Sequence, residues 1–186
     1  MHRKPIKIGL LGLLWAAVAS GPALDIPQGR PSESETEAAF LCDFAEFVEW
    51  PPQAFASTDS PIIIGILGDD IFGEDLKSMI ESKTINGRPL HLVHPNADSF
   101  LELRRCHILF LSPNERRRVG EILHEMEGAR VLTVSQMEHF LQYGGMINFV
   151  LEDWKVRFEV NDEPAKRVGL KISAKLLRQA RRREEP

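Results

Sequence analysis

Glycines after the first apolar run of the chain have spacings that could suit a nucleotide site. Gly68 and Gly73 are spaced as in a phosphate-binding loop, but Glu74 and Asp75 follow where that loop requires Lys and Ser or Thr. The G-x-G-x-x-G pattern of dinucleotide sites does not occur here either. Because acids surround the point where a phosphate would lie, we interpret these glycines as turn and capping residues.

Two histidines and one serine are the other candidates for chemistry. His91 and His94 are three residues apart, and residues three apart on a strand point to opposite faces, so the two imidazoles would diverge unless a bend intervenes, and we do not expect a metal site with Asp98. Ser112 ends a strand but lacks the G-x-S-x-G context of a hydrolase nucleophile. We interpret it as part of a turn in which Asn114 caps the next helix. The sequence therefore predicts no cofactor, no metal and no catalytic site, and indicates a protein that acts by binding.

The two cysteines, Cys42 and Cys106, leave two alternatives. In an oxidising compartment an even pair can form a disulfide. Cys42 lies on the apolar side of a predicted helix and Cys106 just precedes a buried strand, so two inert buried thiols explain them equally well.

The N-terminus has the pattern of a secretory signal peptide. Basic residues Arg3, Lys4 and Lys7 precede an apolar run over 8–19 that is too short for a membrane span, which needs about twenty residues. Small residues over 19–23 supply cleavage positions. We expect a signal peptide over 1–23, with an uncleaved anchor as the alternative, and a periplasmic location with no stable membrane span after cleavage.

The exported part is acidic and has the length of one domain. Cleavage after residue 19 leaves 20 of the 23 basic residues against 27 acidic ones, a net charge near −7. Nucleic acid is therefore not an expected partner, because binding it depends on neutralising phosphates. Residues 24–33 are rich in Pro, Gly and polar side chains and indicate a flexible leader, and the folded domain is predicted over 34–183.

Strand and helix patterns alternate along that domain. A capping box of Ser34 and Glu37 is predicted to begin the first helix, which ends before Pro51. Further helices are predicted over 74–82, 99–105, 115–127, 135–143 and 163–183, and strands over 62–67, 90–93, 107–111, 131–134, 146–151 and 155–160. This order predicts a single three-layer α/β domain, with a mainly parallel sheet, flanking helices and a C-terminal antiparallel hairpin.

Motifs over residues 36–180 together resemble the YfiR-like family of periplasmic regulatory proteins. They are Ala38-Ala39-Phe40-Leu41, Phe44-Ala45-Glu46-Phe47-Val48-Glu49-Trp50-Pro51, the strand with Gly65 to Gly68, Asn86-Gly87-Arg88-Pro89-Leu90, Cys106-His107-Ile108-Leu109-Phe110-Leu111-Ser112, Val131-Leu132-Thr133-Val134-Ser135, Gly144-Gly145-Met146-Ile147-Asn148-Phe149 and Val156-Arg157-Phe158-Glu159-Val160-Asn161, followed by the stretch from Ala165 to Leu177. Within them the resemblance marks as fold residues Phe47, Trp50, Pro51, Gly144, Gly145, Phe158, Asn161, Gly169, Leu176 and Leu177. It marks no catalytic residues.

The resemblance implies a regulator of signalling across the inner membrane of a Gram-negative bacterium. Its best understood member binds the periplasmic part of a membrane-bound diguanylate cyclase and holds that enzyme inactive, which lowers cyclic-di-GMP. Other relatives accompany sensor kinases or outer-membrane receptors. A homodimer is the default expectation for a regulator of a dimeric receptor.

Two binding hypotheses follow, and each predicts a different surface. An inhibitory protein contact predicts an exposed apolar patch, which we place at Trp50, Pro51 and Phe55. A small-molecule sensor instead predicts a crevice at the strand ends near Gly68, Ser112 and Ser135; the sensor would act with a sensor kinase or an outer-membrane receptor.

Overall fold

The computed structural model describes residues 31–81 and 83–181. The predicted signal peptide over 1–23, most of the leader predicted over 24–33 and the last residues of the predicted domain therefore lie outside the described residues.

The first helix, α1, extends over Glu33–Phe47 and begins at a capping box. Ser32 Oγ accepts a hydrogen bond from the Glu35 backbone nitrogen at 3.0 Å, and Glu35 Oε2 accepts one from the Ser32 nitrogen at 2.6 Å. The prediction of a Ser34–Glu37 box was wrong. The same spacing occurs twice in this segment, and Glu37 is turned inward instead of capping the helix.

Seven strands of the described residues form the main sheet: β2 (Ile62–Leu67), β3 (Thr84–Ile85), β4 (Arg88–Val93), β5 (Ile108–Leu111), β6 (Leu132–Ser135), β7 (Ile147–Glu152) and β8 (Lys155–Val160). Their order across the sheet is β3-β4-β2-β5-β6-β7-β8. The strands from β4 through β2, β5 and β6 to β7 are parallel. The outermost strands are antiparallel to their neighbours. The apolar β-branched runs form the central strands because both faces of a parallel sheet are buried.

Helices cover both faces of this sheet. Besides α1 they are α2 (Gly73–Glu81), α3 (Phe100–Leu103), α4 (Val119–Glu125), α5 (Asp162–Arg167) and α6 (Ala174–Gln179). One buried cluster joins α1 and α2 to the sheet through residues such as Phe44 and Leu76. A second cluster joins α3 and α4 to the opposite face through Leu103 and Ile122. The predicted α/β fold, with its mainly parallel sheet, flanking helices and C-terminal hairpin, is confirmed.

The long C-terminal helix predicted over 163–183 is interrupted. Gly169 adopts a left-handed φ of +80° and ends α5. The chain then forms β9 (Lys171–Ile172), which pairs antiparallel with β1 (Val48–Glu49) in a separate two-stranded sheet. Ser173 caps α6 by accepting a hydrogen bond from the Leu176 nitrogen at 3.2 Å. The apolar spacing was regular enough to suggest one helix, but the glycine and the pairing with β1 divide it.

Two other predicted helices are shorter than expected. In place of a helix over 135–143 there is one 3-10 turn, Phe140–Tyr143, because Ser135 ends β6. Its hydroxyl donates to the Leu111 carbonyl at 2.7 Å and accepts from the Met137 nitrogen at 3.1 Å. The helix predicted over 115–127 divides into a 3-10 turn, Pro113–Arg117, and α4.

Candidate functional site

Trp50 and Phe55 pack around His107 at the amino ends of β2 and β5. Trp50 Nε1 donates to the His107 carbonyl oxygen at 3.2 Å, and the Phe55 ring stacks on the imidazole with centroids 4.6 Å apart. The Arg88 guanidinium carbon also lies over the Phe55 ring, 3.8 Å from its centroid. Trp50, Pro51 and Phe55 are consequently half-buried. Their role in partner binding stays a prediction, but the rings already have structural partners.

His107 is buried as a neutral imidazole. Its Nδ1 accepts a hydrogen bond from the Ile63 backbone nitrogen at 3.1 Å, which places the ring proton on Nε2. Burial lowers the pKa of His107 to about 4; the Ala54 carbonyl opposes this shift and the Arg88 charge adds to it. The neutral His107 imidazole therefore contributes to stability at neutral pH. This contribution is lost as the pH falls below the ordinary pKa of histidine and through about 4.

The crevice predicted at the carboxyl ends of the parallel strands was placed near Gly68, Ser112 and Ser135, and a side chain already fills the space beside Gly68. The Asn114 side chain lies directly against Gly68, where an added Cβ would collide with its oxygen. Asn114 Oδ1 accepts from the Asp69 nitrogen at 3.4 Å, so the prediction that it caps the following helix was wrong. Ser112 and Ser135 are buried. The Ser135 hydroxyl forms hydrogen bonds with the backbone of Leu111 and Met137, and not with a histidine.

The candidate metal and disulfide residues are also separated. His94 Nε2 lies 2.9 Å from Asp70 Oδ2 at the surface. Within residues 31–81 and 83–181, no group of three or more His, Cys, Asp or Glu side chains could hold a metal ion. Cys42 and Cys106 are free and lie in the two clusters on opposite faces of the sheet. Of the two alternatives for the cysteines, the structure therefore contains the buried thiols.

The residues marked by the motifs serve the fold in different ways. Phe158 is buried and meets the rings of Phe40 and Phe44 edge-on, with centroids 5.2 and 5.3 Å away. The Asn161 nitrogen donates to the Met146 carbonyl at 2.8 Å, which closes the base of the hairpin. Leu176 is buried, whereas the neighbouring Leu177 is 38% exposed.

Three more of these residues connect the short β1–β9 sheet to the domain. The Phe47 carbonyl accepts a hydrogen bond from the Ser173 nitrogen at 2.9 Å, and Lys175 Nζ lies 4.3 Å from the centroid of the Phe47 ring. An added Cβ at Gly169 would meet Pro51 at 3.8 Å, so Gly169 packs beside the Trp50-Pro51 helix exit. These residues stabilise the junction between the helix exit and the C-terminal segment.

Glu37, which the sequence suggested as a capping residue, is instead a buried acid. It is 5% exposed on α1, and the Gln136 amide, oriented as a donor, lies 3.0 Å from its Oε1. Burial raises the pKa of Glu37 to about 7, with the nearby Glu33 carboxylate adding to the effect. A carboxyl that binds its proton more tightly when folded favours the folded state at low pH, and this contribution is lost as the pH rises through about 7.

Glu37→Gln is therefore expected to raise the free energy of unfolding by about 2–3 kcal/mol at about pH 8 and by much less at about pH 4.5. Glutamine retains a partner for Gln136 without carrying a charge. Urea unfolding at the two pH values measures the difference. Glu81→Gln, an exposed change at the end of α2, is the control. Equal gains from both variants at the higher pH would contradict this account.

The most exposed large apolar side chain among the described residues is Trp154, at 86%. It lies in the two-residue loop joining β7 to β8, where Glu152 pairs with Lys155. Asp153 and Trp154 have φ values of +49° and +60°, so both are left-handed, as a type I′ turn requires. Leu151, 51% exposed, precedes this loop on β7. We call Leu151 and Trp154 together the hairpin tip.

Such a turn normally contains Asn-Gly or Asp-Gly, because residues with a Cβ are strained at positive φ. A large aromatic side chain there costs stability and gains almost no burial. Tryptophan is also the residue type that most often dominates the binding energy of a protein interface. The sequence indicated the turn near Glu152 and Asp153 but not the exposure of Trp154, which depends on how far the hairpin extends beyond its neighbours.

No helix among the described residues is both long and apolar enough to cross a membrane. The fold and the features above define an α/β domain whose candidate functional features are contact surfaces. A family model described as YfiR/HmsC-like matches residues 34–181. The chain belongs to this family, which is regulatory rather than catalytic and in general periplasmic.

Proposed function

We propose that this protein is exported to the periplasm, where it binds the extracytoplasmic part of a membrane signalling protein and holds it inactive. The target proposed is a diguanylate cyclase, so the protein lowers cyclic-di-GMP. Family membership supports the regulatory class of this function. The observation that carries the protein-contact mechanism is the hairpin tip, where an almost fully exposed tryptophan occupies a turn position unfavourable to it.

The contact is proposed to centre on Trp154, with Leu151 beside it. The tight turn already fixes the backbone of Trp154, and an aromatic side chain has only two rotatable bonds, so little conformational entropy is lost on binding. The predicted patch at Trp50, Pro51 and Phe55 is a second candidate, but its rings are engaged with His107 and Arg88 and offer less free apolar surface.

The proposal is tested by capturing partners from detergent-solubilised membranes of the native bacterium, with the purified protein as bait. Specific recovery of a membrane-bound diguanylate cyclase is the expected result. Recovery of a sensor kinase or an outer-membrane receptor instead would retain the regulatory class and reject the cyclase as target. Light scattering on the same preparation tests the expected homodimer.

A further inference from the structure

A cavity of about 630 Å³ opens between α4 and α5, away from the hairpin tip. Its apolar lining includes Leu123, Met126, Val131 and Met146, all buried. Tyr143, which also lines it, is half-exposed. The volume is within the range of small-molecule sites, roughly 300–1,000 Å³. We call this space the α4–α5 cavity.

Glycines line part of the cavity, so no side chain fills the space there. Gly120, Gly128 and Gly144 all line it, and a Cβ added at any of them would meet no atom within 4 Å. Gly128 and Gly144 have positive φ, so their turns explain the choice of glycine. Gly120 does not have positive φ and lies within α4, where alanine is the better helix former. Neither backbone geometry nor packing accounts for Gly120, and the space it leaves belongs to the cavity.

The cavity rim carries an arginine without an ion-pair partner among the described residues. Arg167 lines the cavity, is exposed, and has no carboxylate within ion-pair distance in that part of the chain, unlike Arg116, which pairs with Glu138 at 3.1 Å. The carboxylate of the lining, Glu127, lies 3.5 Å from the His124 imidazole instead. Arg167 is therefore available to an anion.

A buried polar group also faces the cavity. Thr133 is 3% exposed, and its hydroxyl oxygen accepts a hydrogen bond from the Met146 nitrogen at 3.2 Å. Its own proton has no acceptor within the described part of the chain. A hydroxyl so placed can donate to a polar atom of a bound molecule.

We propose that the α4–α5 cavity binds a small amphipathic anion, with an aromatic body and one acidic group. The body would contact the apolar lining and the Tyr143 ring, and the acidic group would pair with Arg167. This combination of an apolar pocket and few polar groups is typical of ligand sites. The site does not depend on the partner contact proposed above, because the hairpin tip contributes nothing to it.

Two fluorescent probes that differ by one sulfonate group test the site on the purified protein. They are 8-anilinonaphthalene-1-sulfonate, an anion, and its uncharged analogue N-phenyl-1-naphthylamine. Both are expected to bind the wild type. Arg167→Gln is expected to weaken the sulfonate about tenfold and to leave the uncharged probe within about twofold, because only the sulfonate pairs with the guanidinium. Arg157→Gln, an exposed arginine on β8, is the matched control.

The Gly120→Met variant tests whether the probes bind in the cavity or elsewhere on the surface. A methionine on α4 would occupy the open space, so both probes are expected to bind at least about tenfold more weakly while the unfolding midpoint is retained. Tyr143→Ala is the second variant and is expected to weaken both probes. The proposal would be overturned if neither probe bound the wild type, or if both probes bound folded Gly120→Met and Tyr143→Ala unchanged. Equal effects of Arg167→Gln and Arg157→Gln on the sulfonate would also overturn it.

Discussion

Gly145→Ala is expected to lower the free energy of unfolding by about 3 kcal/mol, as an overpacked core substitution. A Cβ at this position would lie within 2.7 Å of Phe140 Cζ and still closer to other atoms of that ring. Phe140 is fully buried and cannot swing into solvent. The Gly145 nitrogen also donates to the Phe140 carbonyl at 3.1 Å, so the two residues cannot separate without breaking this bond.

Gly144→Ala is the matched control for this change. Gly144 has a φ of +98°, but a Cβ there would meet no atom within 4 Å. Only the backbone strain remains, which costs about 1–2 kcal/mol. Chemical denaturation of both variants measures the difference. If Gly144→Ala proved as destabilising as Gly145→Ala, close packing against Phe140 would not be the reason for the second glycine.

Trp154→Gly is expected to raise the stability of the protein and to weaken its binding to the partner. Asp-Gly suits a type I′ turn better than Asp-Trp, so the variant should gain about 0.5–1 kcal/mol of stability. The same change removes the proposed anchor of the partner contact. The affinity for the captured partner is therefore expected to fall at least about thirtyfold, the equivalent of about 2 kcal/mol, as for an interface hot spot.

Leu101→Ala controls for the loss of exposed apolar surface in general. Leu101 is 66% exposed on α3 and belongs to neither proposed site. It is expected to leave partner affinity unchanged. Calorimetric titration against the purified extracytoplasmic domain of the partner measures both variants. Full affinity in Trp154→Gly would remove the hairpin tip from the contact without affecting the cavity proposal.

The central strands could be predicted from sequence because their apolar, β-branched residues are buried in the folded domain. The run Ile62–Leu67 is apolar and β-branched, and in the structure it lies between β4 and β5 with helices on both faces. The hairpin of β7 and β8 could also be predicted, since the apolar residues of β8 alternate with charged ones along the strand.

The C-terminal segment could not be predicted because its structure depends on distant residues. Ile172 continues the helical apolar spacing, yet it pairs with Val48 across the domain. The local propensity of a segment does not reveal its pairing with a strand that is far away in sequence. Gly169 was the available indication of a break, and a single glycine does not decide between a tolerated residue and a helix end.

The candidate sites were harder to predict than the fold because exposure and cavity shape follow from tertiary packing. Phe55 was placed in an exposed patch but stacks on His107, whereas Trp154, which the sequence did not single out, is the most exposed large apolar side chain among the described residues. The raised pKa of Glu37 likewise required knowledge of which of two identical Ser-x-x-Glu spacings caps α1.

Cellular cyclic-di-GMP in a strain lacking this gene is the measurement that tests the proposed function most directly. We expect the nucleotide to rise on deletion, to return to its original level when the wild-type gene is restored, and to stay high when the Trp154→Gly gene is restored at equal protein abundance. An unchanged cyclic-di-GMP level on deletion would contradict the proposal that this protein restrains a diguanylate cyclase.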